Sequence, residues 1–304
     1  MTPRTQGYVF VIITMCIWGG FSIFSRLNAI WHISAWDVVA LRFSIGFILL
    51  MPILIYKKQT AFLWHIKPFI LGLLGGVAYC ITVYSAFFYA PVAHGAMFLN
   101  GCIPLCTAVM AYVLFKEPFD RHIWISLTIM VLAIFGMTYL MYQKTHVGLG
   151  LGDGLFFLAA IWWGTFTVLV KQWKLTAWQN MTSVAIWSAI IYLPIYLLFM
   201  PHHLQDVAVP HLLAQGIFHG VFVVIIATMS YIAAIERLGA FKTGSIVTLA
   251  PFIAAIVAVP LLNEPLNSAM GLGLIGMAIG ALQPWRWINR KDALTARLER
   301  SSKK

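Results

Sequence analysis

The sequence has few charged residues, and acidic residues are the scarcest of them. Of its 304 residues, 9 are Asp or Glu and 20 are Lys or Arg, so charged residues make up 10% of the chain. Soluble domains carry roughly 25% charged residues. Hydrophobic residues make up 61% of this chain, more than a soluble fold of this length can bury, because a folded domain always leaves much of its surface in water. The composition therefore excludes a soluble domain and favours a lipid environment.

Acidic residues are missing from the middle of every long apolar run. Small multidrug-resistance carriers, which exchange cations for protons, depend on a carboxylate inside the membrane, so that mechanism is not expected. The groups that an intramembrane enzyme needs, such as Ser/His pairs or paired carboxylates, do not converge in these runs either. We therefore do not expect an enzyme.

Cysteines are also few, and a nucleotide-binding motif is missing. The four cysteines lie within apolar runs and do not form a disulfide framework. The glycine-rich stretch 148–154 lacks the Lys-Ser/Thr partner of a phosphate-binding loop. The sequence therefore predicts no cofactor, no bound metal and no ATP-driven mechanism.

Long apolar runs, in contrast, are abundant. Each is about 18–25 residues long, the length that an α-helix needs to cross a bilayer. Lipid offers no partners to backbone polar groups, so the runs should be helices. The sequence predicts an all-α integral protein of the inner membrane with ten transmembrane helices, at 7–24, 36–56, 67–89, 92–115, 122–142, 153–171, 176–199, 211–235, 240–261 and 267–287.

Basic residues are distributed unevenly between the two sets of predicted loops. All but three of the 20 Lys and Arg residues fall on the side that carries both termini, the exceptions being Arg26, Lys144 and Arg42. Lys and Arg are enriched in cytoplasmic loops, so both termini are predicted to be cytoplasmic. The net charge of +11 then reflects topology, with some attraction of the tail to lipid head groups, and does not indicate a nucleic-acid partner.

Two signals recur at nearly constant spacing. Pro104 precedes Glu117-Pro118 by thirteen residues, and Pro251 precedes Glu264-Pro265 by the same number, so the second set lies 147 residues after the first. At similar offsets, Trp18-Gly19 matches Trp163-Gly164 and Tyr84 matches Tyr231. Five helices per half is an odd number, so the second copy should enter the membrane with inverted topology. The predicted domains are a first five-helix repeat at 7–142, a second, inverted repeat at 153–287, and a basic cytoplasmic tail at 288–304.

The repeated prolines fall within predicted helices 4 and 9. A proline inside a helix removes a backbone hydrogen bond and bends the helix. One interpretation is a static kink that improves packing. The other, which we favour because the feature occurs in both halves, is a pair of gating helices centred on Pro104 and Pro251.

With these motifs the chain resembles the EamA-type carriers of the drug/metabolite transporter superfamily over about residues 7–285. The resemblance implies a basket of helices around a central cavity, and export of amino acids or related metabolites; the aromatic amino-acid exporters are the closest analogy. Arg42 has no counterpart in the second half, so any role for it is asymmetric. The matching segments are 18–19, 41–43, 89–93, 104, 115–118, 152–154, 163–164, 238–240, 251 and 264–265.

Aromatic residues with polar tips, together with nearby hydrogen-bonding side chains, are the candidate lining of that cavity. Such a lining suits an amphipathic organic solute, although ordinary helix packing would use the same residues. The candidate substrate-binding residues are Trp18, Ser22, Tyr79, Tyr84, Asn100, Trp163, Thr167 and Tyr231.

Ionisable residues inside a membrane are functional candidates by default. Arg42 would suit a carboxylate if it reaches the cavity, but could equally cap a helix or extend to the interface. His94 and His219 are candidate proton carriers or structural histidines. Asp37 and Asp153 begin helices, where carboxylates complement the helix dipole, and Asp37 could also pair with Arg42 or Arg26.

These features together predict a secondary transporter that works by alternating access and exports a small organic metabolite, such as an amino acid. The alternatives are efflux of drugs or organic cations, and a membrane receptor or scaffold that transports nothing. The expected partners are a small-molecule substrate and membrane lipids, without nucleic acid or ATP, and the chain is expected to be a monomer or a homodimer.

Overall fold

The computed structural model describes residues 1–118, 121–145, 149–201, 203–238, 243, 246–247, 249–264 and 266–284. All regular secondary structure in these residues is helical. The predicted basic tail and most of residues 239–248 lie outside the described residues. The helices are α1 (Pro3–Ile30), α2 (Ala35–Tyr56), α3 (Ile66–Tyr89), α4 (Val92–Phe115), α5 (Arg121–Thr145), α6 (Leu151–Trp173), α7 (Ala177–Phe199), α8 (Val209–Leu238), α9 (Ala250–Leu262) and α10 (Ser268–Leu282).

Helices α1 to α8 are each long and apolar enough to cross a bilayer, by the length and composition of the described residues. Helices α9 and α10 are apolar but shorter in the described part of the chain. The all-helical membrane fold expected from the apolar runs is therefore confirmed, and the chain is a multi-pass membrane protein. The count of ten spans and the cytoplasmic termini stay predictions.

Short polar residues begin several of these helices. The Ser34 side chain accepts a hydrogen bond from the Asp37 N–H at the start of α2, and Thr176 and Gln179 form a reciprocal capping box at the start of α7. At the start of α10, the Asn267 side chain accepts a hydrogen bond from the Met270 N–H. Each cap satisfies N–H groups that have no partner within the helix. The ends of the apolar runs are thus fixed by local sequence.

Helix packing follows a symmetric pattern between the first half (residues 1–145) and the second half (residues 149–284). When each of α1–α5 is exchanged with its counterpart in α6–α10, the major contacts map onto one another. The paired contacts are α1–α8 with α6–α3, α1–α9 with α6–α4, and α2–α8 with α7–α3, while α2–α7 and α5–α10 map onto themselves. The halves are therefore interleaved and do not form separate bodies.

The glycine of each Trp-Gly motif lies where its helix closely approaches the backbone of a helix from the other half. A Cβ added to Gly19 would lie 3.2 Å from the carbonyl oxygen of Ala250 in α9. A Cβ added to Gly164 would lie 2.8 Å from the backbone nitrogen of Thr107 in α4. Small residues permit such close helix approach in membranes. The two glycines thus hold α1 against α9 and α6 against α4.

The repeated prolines lie at restarts of the helical path and not inside an unbroken helix. Pro104 is in the first turn of the segment Ile103–Phe115, and Pro251 is in the first turn of α9. The residues preceding these turns, Cys102 (φ −84°, ψ −14°) and Leu249 (φ −79°, ψ −17°), have nearly the same backbone geometry. Proline is tolerated in a first turn because its missing N–H would have no partner there. Instead of the expected bend within a helix, each proline lies at the beginning of a helical segment, at matching positions in the two halves.

Candidate functional site

A chain of buried polar side chains crosses from the first half to the second. One Arg42 guanidinium nitrogen donates a hydrogen bond to the Tyr84 hydroxyl at 3.2 Å, and that hydroxyl lies 2.9 Å from Nδ1 of His219. These residues come from α2, α3 and α8, and all three are buried. Arg42 therefore turns into the bundle, and its side chain forms no ion pair with Asp37.

Phe21 of α1 forms an apolar wall beside this chain. Its ring centroid lies 5.7 Å from that of Tyr84 and 5.5 Å from that of His219. The central carbon of the Arg42 guanidinium lies 6.0 Å from the same centroid, within cation–π range. A buried charge thus sits at the junction of four helices, beside an aromatic surface.

The candidate Trp and Tyr residues form two further pairs, and each pair joins the two halves. Trp18 contacts Tyr231 with ring centroids 5.1 Å apart, and Trp163 contacts Tyr79 at 4.7 Å. The sequence repeat matched Tyr84 with Tyr231, but Tyr84 is bound to Arg42 instead of the tryptophan. The asymmetry follows from Arg42, which has no counterpart in the second half.

The smaller polar candidates form local contacts. Thr167 donates to the Trp163 carbonyl at 2.7 Å, and the Asn100 amide donates to the Gly95 carbonyl at 3.3 Å. Both bonds lie within the residue's own helix. Ser22, which follows Phe21 in the sequence, is buried.

Asp37, Asp153 and His94 lie away from the Arg42 chain, at the end of the bundle where α1 ends. Asp37 accepts from the hydroxyls of Ser34 and Tyr196. Asp153 accepts from the Gly150 N–H at the start of α6, as predicted, and lies 2.6 Å from Nδ1 of His94. These contacts join helix ends, and each buried carboxylate has partners.

An ionic contact that the sequence did not predict joins the halves at the same end. Arg26, at the end of α1, donates to Glu264 at 2.8 Å and also to the carbonyl of Phe87. The second oxygen of Glu264 accepts from the backbone N–H of Val92 at 2.8 Å. The side chains of Arg26 and Glu264 are 26% and 12% exposed. We call this set of interactions the first ionic contact.

A matching contact lies at the other end of α4. Lys171 donates to Glu117 at 2.8 Å, and Gln172 donates to the same carboxylate at 2.6 Å. Here the charged side chains are more exposed, at 67% for Lys171 and 34% for Glu117. The first ionic contact includes Val92, the first residue of α4, whereas this second ionic contact includes Glu117, two residues after α4 ends. The two contacts therefore lie at opposite ends of the bundle.

The local sequence places the two glutamates equivalently. Each directly follows a residue with left-handed backbone that ends a helix, Lys116 (φ 56°) after α4 and Asn263 (φ 54°) after α9. Each basic partner lies eight residues after the tryptophan of a Trp-Gly motif: Arg26 after Trp18 and Lys171 after Trp163. That shared spacing is the signal that could have revealed both contacts.

A cavity of about 270 Å³ lies at the surface between the α2–α3 and α6–α7 connections, away from all of these residues. Its lining includes Gln59, Phe62 and Trp178. Groups of three or more His, Cys, Asp or Glu residues that could hold a metal are absent from the described residues. The candidate site is thus the buried contact region between the halves.

Comparison with known proteins agrees with this architecture. The model of the EamA-like transporter family matches residues 5–139 and 150–283, which correspond to the two halves. An uncharacterized transporter of Clostridium kluyveri is 20% identical over 293 residues, covering 91% of this chain and 92% of that protein. A solved crystal structure superposes with a TM-score of 0.61 at 16% identity, covering 94% of this chain and 99% of that chain, and so shares the fold. The chain therefore belongs to the EamA-like transporter family.

Proposed function

We propose that the protein is a secondary carrier that exports a small organic metabolite, an amino acid or a related compound, across the inner membrane. The observation that carries the proposal is the buried chain of Arg42, Tyr84 and His219. It places polar groups at the junction of the two halves, where carriers built from inverted repeats bind their substrates. The Trp18–Tyr231 and Trp163–Tyr79 pairs add aromatic surface that also joins the halves.

The two ionic contacts support alternating access. Each joins a basic residue on one half to a glutamate on the other, at opposite ends of the bundle. Opening one contact while the other holds would expose the centre to one side at a time. The first contact is the more buried of the two, and the distribution of basic residues predicts that it faces outward. In this conformation the outer end is the more firmly closed.

The breaks before Pro104 and Pro251 supply the moving elements of this scheme. The helical segments that begin there end at Lys116 and Asn263, directly before Glu117 and Glu264. Rotation of a segment about its break would carry its glutamate away from the basic partner. The prolines thus act as pivots, and the glutamates are the ends that move.

Efflux of organic cations is the less favoured alternative. The guanidinium of Arg42 places positive charge at the centre of the bundle, where low polarity strengthens its repulsion of a cation. No carboxylate forms an ion pair with it within the described part of the chain. A solute that is neutral overall or anionic fits this environment better.

Flux through proteoliposomes tests the proposal. Purified protein in liposomes should catalyse saturable counterflow of at least one compound from a panel of amino acids and related metabolites. Trp163→Ala should reduce the rate by about tenfold or more, since it removes a partly buried aromatic contact between the halves. Phe135→Ala, at a side chain that is 69% exposed on α5, is the matched control and should leave flux unchanged. A lack of saturable flux across the whole panel contradicts the proposal.

A further inference from the structure

Arg42 is a buried cation that lacks an anionic partner. Its side chain is only 8% exposed, and it forms no ion pair with any residue that the structure describes. Within the described part of the chain it donates one hydrogen bond, to the neutral Tyr84 hydroxyl, and its Nε has no partner there. A buried charge is costly unless it is paired and hydrogen-bonded. The charge therefore points to an anion that the described residues do not supply.

The hydrogen-bond directions around Tyr84 add a second unused donor. The Tyr84 oxygen accepts a hydrogen from Arg42, so its own hydrogen is directed to the other neighbour, Nδ1 of His219. With the hydroxyl hydrogen placed in this way, Nδ1 is the accepting nitrogen of His219 and the ring proton is assigned to Nε2. The Nε2 atom of His219 is buried and has no partner.

The unused polar atoms of this group are therefore all donors. Arg42 Nε–H and His219 Nε2–H belong to side chains linked through one tyrosine hydroxyl, and neither has an acceptor. A neutral polar ligand such as an alcohol would leave the charge of Arg42 without a counter-ion and would bring a further donor of its own. A carboxylate carries two acceptor oxygens and no donor, and guanidinium groups bind it with charge assistance.

The surroundings specify the rest of the ligand. Phe21 lies against Tyr84, His219 and the guanidinium of Arg42. One turn earlier on α1, Trp18 contacts Tyr231. A carboxylate held at Arg42 would thus have an aromatic wall directly beside it. This arrangement fits an amphipathic acid better than a small inorganic anion.

We infer that Arg42 and His219, linked through Tyr84, form a carboxylate-binding subsite, and that the transported solute is an organic carboxylate, an amino acid or a related acid. The inference rests on the proposed transport function and narrows it to a chemical class. Three of the surrounding side chains come from the first half and His219 comes from the second. Movement of the halves would therefore assemble and separate the subsite, which links binding to the transport cycle.

Counterflow with matched substrates tests the inference. The probes are the L-amino acids that the wild-type protein transports, each compared with its carboxamide, in which the carboxylate is replaced by a neutral amide. The wild-type protein should prefer the acid. In Arg42→Gln the KM for the acid should rise about 10- to 100-fold, as expected for the loss of a charge-assisted hydrogen bond. The KM for the carboxamide should change less than about threefold, because no charged partner is lost.

Two further variants keep the test decisive if Arg42→Gln does not fold. Arg42→Lys keeps the charge and should give an intermediate KM for the acid. His219→Leu removes the second donor and should raise the KM for the acid but not for the carboxamide. Equal transport of acid and carboxamide by the wild-type protein, or equal effects of these variants on both, overturns the subsite while leaving the transporter intact. Absence of any flux by the wild-type protein instead overturns the proposed function.

Discussion

Individual residues in this protein follow the rule that polar groups removed from water must find partners. Asp37, buried completely, accepts two hydroxyl hydrogens, and Asp153 accepts from a backbone N–H and lies beside His94. Arg42 departs from this rule, because its charge has no anionic partner and its Nε has no hydrogen-bond partner among the described residues. Asn28, Ser126 and Gln215 also have buried side-chain atoms without a partner, but Arg42 carries a permanent charge, and it is the residue that the proposed function uses.

The two ionic contacts should differ in their effect on stability. Arg26→Gln leaves the carboxylate of Glu264, which is 12% exposed, without its cation, and should lower the free energy of unfolding by about 1–3 kcal/mol. Lys171→Gln breaks a solvent-exposed pair and should cost about 0–1 kcal/mol. Thermal unfolding of both variants in the same detergent measures the difference. Equal losses would show that burial does not distinguish the two contacts.

At the scale of helices, the structure depends on where elements from opposite halves approach closely. Helices α1 and α6 each carry a Trp-Gly motif, whose glycine faces the backbone of α9 or α4. The tryptophan of each motif contacts a tyrosine of the other half. Each motif therefore serves two purposes, close packing and an aromatic contact between the halves.

Gly164→Ala should separate α6 from α4. The added Cβ would lie 2.8 Å from the backbone of Thr107, and backbone cannot move aside as a side chain can, so we expect destabilisation of about 1–3 kcal/mol. Gly136→Ala is the matched control, because a Cβ there meets nothing within 4 Å. It should be neutral or stabilise the helix by up to about 1 kcal/mol. A Gly164→Ala protein as stable as the control would contradict the close approach.

At the scale of the whole molecule, the contacts between helices repeat when the halves are exchanged, and the ionic contacts repeat with them. Two matched contacts at opposite ends are what an alternating mechanism requires. Their unequal exposure means that the two ends are not equivalent in this conformation.

Cross-linking either end should stop transport. In a variant without the native cysteines, we expect a bismaleimide to join Arg26→Cys with Glu264→Cys, or Glu117→Cys with Lys171→Cys, and each cross-link to abolish counterflow. Each pair joins the two halves at a place where the proposed mechanism separates one half from the other. Thr2→Cys with Thr5→Cys is the control, because these residues are one turn apart at the start of one helix. Undiminished flux after complete cross-linking of either end would exclude the alternating scheme.

The predicted orientation can be measured with single cysteines in the same background. Ala61 and Ala208 are exposed residues in the α2–α3 and α7–α8 connections, which the distribution of basic residues assigns to opposite sides of the membrane. A membrane-impermeant maleimide added to intact cells or spheroplasts should label Ala208→Cys and not Ala61→Cys. The reverse pattern would show that both termini are outside.

The local sequence was sufficient to predict most helix positions. The predicted start or end of α2, α3, α4 and α7 lies within one residue of the structure, because apolar length and capping residues act within a single segment. Helix α1 extends six residues beyond its predicted end, through Arg26 to Ile30. The predicted helix ended at Phe24 because the polar residues that follow it lower the mean hydropathy. Glu264, which pairs with Arg26 and stabilises this part of the helix, is far away in the sequence.

The sequence by itself determined a membrane-spanning helical chain with two matching halves, since hydrophobic length and repeated motifs are local properties. The tertiary structure decided which side chains meet: Tyr84 lies with Arg42 and His219 instead of a tryptophan, and Glu264 reaches back to Arg26. These partners are 42, 135 and 238 residues apart. Contacts at such separations depend on how the helices pack against one another, and neither composition nor spacing specifies that packing.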